Sequence, residues 1–468
     1  MNREIDLYLE NARERMVSDL QKLVEINSER AAPEAGMPFG KGGAVCLAAA
    51  QTLLGEHGYL PVNYDNYALE ADLGRAPELM LLAHLDVVAA GDGWTREPYR
   101  LTREGNLLYG RGATDDKGPA IACLYAMDAC RAVYGEPETG VRLVLGSGEE
   151  TGSEDMNYYF SRRPMLPYTL SPDADYPLIN IEKGHFAPVF RIRADNTGSA
   201  VVRALKGGET QNIVPARAYA AVSGIPAETV AAAAQAVTAQ TGVTFDVTED
   251  ENGVHIAAAG VSAHASTPEK GKNAQTALIR LLTRLPLDKN GLTAALKKLD
   301  RLFPYGETDG KSAGVKMRDD VSGALTLNFG VLRLEGDTLS CGVDLRCPVC
   351  ATEETVKAAL GRTLADAGFA YAGDPAQRPA HCVPEDSPLV RVLQRVYTAH
   401  TGQEAKCLAI GGGTYVHDIP GGIAFGVEFP GRDYHIHGAD EFTDLDELVQ
   451  TARMYADVIK ELCYKHEG

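Results

Sequence analysis

His84-Leu85-Asp86 closes an apolar run that begins at Leu79. Residues two apart in a strand share a face, so His84 and Asp86 are expected to project together from an otherwise apolar segment. An imidazole with a carboxylate two positions on can be a metal ligand with its orienting partner. The same two residues could equally be polar groups at the frayed end of a strand. Further on, Gly110-Arg111-Gly112-Ala113-Thr114-Asp115-Asp116-Lys117-Gly118-Pro119 has the composition of a tight loop leading into a helix. Asp115 and Asp116 suit the positive end of a helix dipole, and Pro119 suits a first helical turn. Two carboxylates beside a His-x-Asp strand end are also what a divalent cation requires. A third group is Glu149-Glu150, in Ser147-Gly148-Glu149-Glu150-Thr151-Gly152-Ser153. Adjacent carboxylates in one turn repel, and a nearby cation would relieve them. One could then bind metal while the other stays free as a general base. A solvated acidic turn is the plain alternative. Asp173 and, much later, His437 complete the set.

Each of these residues follows a segment with strand character. Strands are expected at 79–88, 141–146 and 168–170, and helices at 4–25, 44–57, 120–134, 387–401 and 444–462. A hairpin is expected at 61–73, and shorter strands at 405–409 and 421–429. Such alternation reads as α/β, an open twisted mixed sheet flanked by helices. In that architecture sites form outside the carboxyl ends of strands, where residues distant in sequence converge. The character changes near Gly184. Strand runs at 187–193, 199–205, 217–223, 243–248, 253–260, 324–334 and 338–346 now predominate, with Gly336-Asp337 as a hairpin turn. Helices are expected at 227–241, 271–285 and 352–367. The α/β pattern returns near Cys382. The expected organisation is a discontinuous catalytic domain, 1–183 and 381–468, with an inserted α+β domain at 184–380.

Composition excludes several functions. Lys plus Arg is 45 and Asp plus Glu is 64, a net charge of −19, which argues against a nucleic-acid partner. No apolar run approaches the roughly 20 residues of a membrane span, so no membrane association is expected. The N-terminal segment reads as a polar amphipathic helix and not as a signal peptide. Nine cysteines without a disulfide pattern point to a reducing, cytoplasmic setting. Cys347-Pro348-Val349-Cys350 is a lone C-x-x-C without a second pair and reads as structural.

Taken together, the His84-Leu85-Asp86, Gly110 to Gly118, Ser147 to Ser153, Ser171-Pro172-Asp173 and His437 motifs resemble the co-catalytic zinc aminopeptidase–carboxypeptidase–aminoacylase superfamily. More closely, the chain is similar to the bacterial PepV-type dipeptidases, from its first helix to its last. The resemblance implies two divalent ions, zinc by default, with manganese or cobalt serving in some relatives. His84 and Asp173 would hold one ion, Glu150 and His437 the other, Asp115 would bridge the two, and the Asp115–Asp116 peptide would be cis. Asp86 would orient His84, and Glu149 would be the general base. His437 has rivals in His435, which would share its face in a strand, and in His417. His437-Gly438-Ala439-Asp440-Glu441 matches the family pattern best.

The inserted domain resembles the family's lid. Within it, His264 of Ser262-Ala263-His264-Ala265-Ser266 would stabilise the oxyanion. Asn212 and Arg346 would contact substrate, Arg346 by gripping a C-terminal carboxylate. Gly412, Gly413 and Thr414 would offer further donors to that carboxylate. A long lid, with 287–324 as its extension, implies a monomer. The activity implied is hydrolysis of unblocked dipeptides. An N-acyl amino acid deacylase or desuccinylase on the same scaffold, and a non-catalytic metal- or peptide-binding protein, are the alternatives.

Overall fold

The computed structural model describes residues 2–464. The chain forms two compact units. One comprises Met1–Ile181, Cys382–Leu408 and Gly413–Gly468, and the other Glu182–His381 with Ala409–Gly412. The α/β class with an α+β unit inserted in sequence is borne out.

The first unit is built on a mixed sheet. Its strands run in the order Val62–Tyr64, Ala68–Leu73, Gly140–Gly146, Pro77–His84, Tyr168–Ser171, Ile423–Ala424, Leu178–Glu182 and His381–Cys382. The central strands Gly140–Gly146, Pro77–His84 and Tyr168–Ser171 are parallel neighbours. Every residue of Gly140–Gly146 is buried, as expected of a strand covered on both faces. The two faces of Pro77–His84 serve different clusters. Leu79, Leu81 and Ala83 join the large core beneath helices Arg3–Val24, Lys117–Tyr134 and Leu445–Cys463. Met80 and Leu82 pack on the other side with Val144, Met156, Tyr159, Tyr415 and Ile419. Lys117, fully buried, donates from Nζ to the carbonyls of Leu23 and Ile26 at 3.0 and 2.9 Å. This ties the last turn of the first helix to the loop that carries Asp115.

Some expected elements end earlier or break. The 79–88 strand stops at His84. The 421–429 strand is two short pieces, Ile423–Ala424 and Val427–Glu428. Gly426 separates them at φ +76°, and a Cβ there would lie 2.1 Å from the Tyr176 ring. Strand Leu178–Glu182 was not foreseen.

Three helices of this unit are joined by a buried ionic chain. His57 lies between Asp128, bonded to Nδ1, and Asp19, 3.1 Å from Nε2. Tyr125 donates to Asp19 at 2.6 Å and Tyr59 to Asp128 at 3.0 Å. Burial opposes the charges, but the hydrogen bonds from His57, Tyr125 and Lys22 hold the Asp19 carboxyl down at about 2. Against the same penalty, Asp128 and Asp19 raise His57. Removing the imidazolium would take the one buried cation from between two buried carboxylates, leaving Asp19 to Lys22 and Asp128 to Arg131, both partly exposed. His57→Leu is therefore expected to cost about 3–5 kcal/mol in urea unfolding at neutral pH. Asp19 is depressed in the folded state, so its share is present above the unfolded value of about 3.9. It is lost as pH falls through about 2. The raised His57 contributes fully below about 6.5 and loses its share as pH rises through its folded value. The wild-type advantage should accordingly shrink in acid, and unfolding curves across a pH series would check it.

In the second unit, an antiparallel sheet runs Thr244–Asp250, Gly253–Ala259, Arg217–Ser223, Val201–Gly207, Thr326–Glu335, Thr338–Cys347, Gly184–Phe186 and Gln377–Arg378. Val254, Ile256 and Ala258 alternate inward, the period-two signature of a half-buried strand. Helices Ala227–Thr241, Ala274–Leu282 and Gly291–Leu302 contribute to the same core. Gly336 turns the long hairpin at φ +60°. The 352–367 helix opens with a π-turn, Glu354–Ala358, before α-helix Ala359–Asp366. The 287–324 stretch contains the helix Gly291–Leu302.

Candidate metal centre

Within the first unit, three strand ends converge. His84 is the last residue of Pro77–His84, the Glu149-Glu150 turn follows Gly140–Gly146, and Asp173 follows Tyr168–Ser171. Asp115 enters from the loop before helix Lys117–Tyr134. His84 Nε2 lies 2.8 Å from Asp115 Oδ1 and 3.8 Å from Asp173 Oδ2. His437 Nε2 lies 2.9 Å from Asp115 Oδ2 and 3.1 Å from Glu150 Oε1. Asp115 thus turns one oxygen to each histidine. His84 Nε2 and Asp115 Oδ1 are buried, yet neither has a hydrogen-bond partner. Two orphaned heteroatoms at this separation fit a shared cation. His84 with Asp115 and Glu150, and His84 with Glu149 and Asp173, are each grouped closely enough to hold one.

Charge in the centre is unbalanced, with five carboxylates (Asp86, Asp115, Glu149, Glu150 and Asp173) set against two imidazoles. Burial, reinforced by Asp173, Glu150 and Asp86, pushes the Glu149 carboxyl well up despite His84. Burial and Asp115 raise Asp173 to about 7. Burial also opposes ionisation of Asp115, but His437 and His84 outweigh it and hold its carboxyl down. Burial disfavours the His437 cation, but Asp115 and Glu150 raise it to about 11. Divalent cations would reverse these terms by displacing protons from the same atoms.

The supports differ from expectation in one respect. Because the strand ends at His84, the His84 ring is oriented by the main-chain carbonyl of Asp86, 3.0 Å from Nδ1. The Asp86 carboxylate stands 3.5 Å from that nitrogen. It also accepts from the N–H groups of Glu149 and Glu150, at 3.2 and 3.1 Å. The Asp115–Asp116 peptide is cis, as the resemblance implied. Asp116 accepts from the His84 N–H at 3.0 Å.

Two supporting residues carried no assigned role from sequence. Glu441, fully buried, accepts from the N–H groups of Thr114 and Asp115 at 3.0 and 3.2 Å. Buried Arg111 holds it at 2.6 Å. Their only signal was membership of the Gly110 and His437 motifs. Residues 435–437 form no strand. His435, His437 and Asp440 adopt φ of +58°, +60° and +57°, a region histidine and aspartate enter more readily than most residues. His435 consequently points its ring edge at Phe442. His417 lies in the short helix Tyr415–Asp418.

The second unit brings together residues of its own. Ala265 N–H donates to the Asn212 carbonyl at 2.8 Å, and Ile213 bridges His264, so Asn212 and His264 occupy adjoining loops. His264 Nδ1 contacts the Ser266 hydroxyl at 2.6 Å. Arg346 is gripped by Asp344 through Nε at 2.7 Å and Nη2 at 3.1 Å, and by the Gly411 carbonyl through Nη1 at 2.8 Å. Of five guanidinium N–H groups, these contacts leave one on each terminal nitrogen, a pair able to face a carboxylate. Gly412 follows Gly411 in this unit. Gly413 and Thr414 belong to the first, where the Thr414 hydroxyl caps Val416 N–H at 3.3 Å. Among the described residues no helix is long and apolar enough to cross a membrane.

Residues 80–461 match the family model described as Peptidase family M20/M25/M40. The chain is 32% identical to a putative dipeptidase, YtjP, of Bacillus subtilis over 99% of its length and 100% of the relative's. It is also 32% identical to the Beta-Ala-Xaa dipeptidase of Lactobacillus delbrueckii subsp. lactis, over 98% of both chains. The fold is that of human carnosine dipeptidase 1, with a TM-score of 0.61 at 14% identity, covering 98% of each chain. The convergent histidines and carboxylates and the family match over most of the sequence lead to one conclusion: the chain belongs to peptidase family M20/M25/M40 and is a peptide-bond hydrolase.

Proposed function

We propose that the protein is a di-metal dipeptidase acting on unblocked dipeptides. The observation that carries the metal centre is Asp115, whose two oxygens face His84 and His437 separately. In this reading His84 and Asp173 would hold one ion and Glu150 and His437 the other, with Asp115 shared between the two sets. An all-nitrogen-and-oxygen donor set suits zinc, and manganese or cobalt as well. When bound, such ions would acidify a water toward a pKa of about 7 and polarise the scissile carbonyl. Glu149, beside this centre, would accept a proton from the attacking water and pass it to the leaving amine. Asp86 fixes the backbone of the turn that carries Glu149 and sets the His84 ring through its carbonyl. By the family resemblance, His264 is assigned as an oxyanion donor, and Asn212 and Arg346 as substrate contacts. The Asp344 clamp pre-orders the Arg346 fork for a C-terminal carboxylate. Gly412, Gly413 and Thr414 add donors to the same group. The relatives named as dipeptidases support this substrate class. We also propose that the protein works as a monomer.

The test is a panel of unblocked L,L-dipeptides, a β-alanyl dipeptide, a tripeptide, and N-acetyl and N-succinyl amino acids. Each is assayed with metal-stripped protein and after zinc or manganese is restored. Dipeptide cleavage restored by metal is expected, with acylated amino acids and tripeptides left intact. Cleavage of the acylated amino acids would move the activity to deacylation, and cleavage of the tripeptide would remove the restriction to dipeptides.

A further inference from the structure

Four consecutive backbone N–H groups of the Glu149 turn are held by two carboxylates. Asp86 takes those of Glu149 and Glu150. Asp155 takes those of Ser147 and Gly148, both on Oδ2, at 2.7 and 2.8 Å. Asp155 is fully buried, and its Oδ1 accepts a further N–H from Met156 at 2.8 Å. The remaining donor is the hydroxyl of Tyr415, which comes from 260 residues away and also reaches Oδ2. Every one of these four donors is neutral. The carboxylate is a buried anion stabilised by oriented dipoles, and each dipole bears a large share of the burden.

Tyr415 is itself buried, and its ring stands edge-on to that of His84, with centroids 6.1 Å apart. The chain makes room for the pair. A Cβ on Gly146 would lie 2.0 Å from the Tyr415 hydroxyl and 2.5 Å from Asp155 Oδ2. On Gly148 it would lie 3.2 Å from Asp155 Cγ and 2.9 Å from the Phe39 ring. One side chain thus touches the His84 ring and, through Asp155, fixes the strand-to-turn junction just before Glu149.

We propose that Tyr415 and Asp155 are positioning residues for the general base. Tyr415, acting through Asp155, sets the height of the Glu149 carboxylate above the His84–Asp115 centre. The proposal rests on the hydrolase reading given above. Loss of the hydroxyl leaves Asp155 one donor short and frees the turn to shift. A shift of that kind costs turnover and leaves ground-state substrate binding nearly intact.

The experiment compares wild type with Tyr415→Phe, which keeps the ring on His84 and removes only the hydroxyl, using whichever panel substrate the wild type cleaves. Asp155→Asn is the second variant. Turnover is expressed per chain carrying two bound ions, with metal counted by elemental analysis. Tyr415→Phe is expected to lower kcat about 10–100-fold, the range typical of groups that orient a metal site's first ligands, with KM changed less than about twofold. Amide hydrogen exchange should quicken at Ser147 and Gly148. A kcat per metal-loaded chain within about twofold of wild type would overturn the proposal. So would a loss explained wholly by missing metal, or by a raised KM. Asp155→Asn should show the same kcat-selective loss, and if it fails to fold the decision rests on Tyr415→Phe. Wild type inactive on the entire panel would instead refute the dipeptidase reading, and unchanged exchange at Ser147 and Gly148 in Tyr415→Phe would then overturn the positioning proposal.

Discussion

Replacing Glu149 with alanine is expected to lower kcat by about 10²–10⁴-fold, the usual contribution of a positioned general base, while the chain still binds two divalent ions. The two halves of this expectation test different things. Glu149 sits close enough to His84 and Asp173 to be a ligand itself, and those three residues form one of the two groups able to hold an ion. Glu150, by contrast, lies 3.1 Å from His437 and shares the other group with Asp115. If Glu149 is the base, its loss removes proton transfer and leaves both ion sites with their donors. If it is a ligand, the variant loses metal in step with activity. Isothermal titration of the stripped protein with zinc, alongside steady-state kinetics, separates the cases. A variant with both ions bound and normal turnover would end the assignment.

The second large effect is expected from Asp115→Ala. A catalytic ion typically needs three protein ligands and one open position. Without Asp115, the proposed sets fall to His84 with Asp173 and Glu150 with His437, two ligands apiece. Asp115 also offsets the positive charge drawn to His84 and His437. Turnover should fall by more than about 10³-fold and two-ion binding should be lost. The fold should persist, because the backbone of this loop is held by Glu441, Arg111 and Lys117 and not by the Asp115 carboxylate. Circular dichroism together with metal titration would check all three statements. An Asp115→Ala protein that binds two zinc ions with wild-type affinity would refute the bridging role.

The contrast between Asp86 and His437 shows how the sequence can name a residue and still miss its work. Asp86 was legible as a polar residue beside His84, and its carboxylate stands 3.5 Å from the ring, but no local pattern showed that it also holds the Glu149 turn. Beyond the strand end at His84, Asp86 accepts from the N–H groups of residues 149 and 150, contacts 63 and 64 residues distant that no local pattern encodes. His437 was singled out from His435 by motif alone. Both adopt positive φ outside any strand, and the contacts separate them, since only His437 meets Asp115 and Glu150.

Alternating strands and helices, the change of pattern at Gly184, the order of His84, Glu149, Glu150 and Asp173 at strand ends, and Asp115 in the loop before a helix were determined by the sequence by itself. Hydrophobic periodicity and turn composition are local properties, and the convergence of parallel strand ends follows from them by a general rule. Which oxygen of Asp115 faces which histidine, the Arg111–Glu441 support beneath it, and the Tyr415–Asp155 hold on the Glu149 turn were decided only by the tertiary structure. Apart from the His84–Asp115 contact, each joins residues hundreds of positions apart. Such contacts are made when buried polar groups must find partners in whatever the fold has already placed beside them.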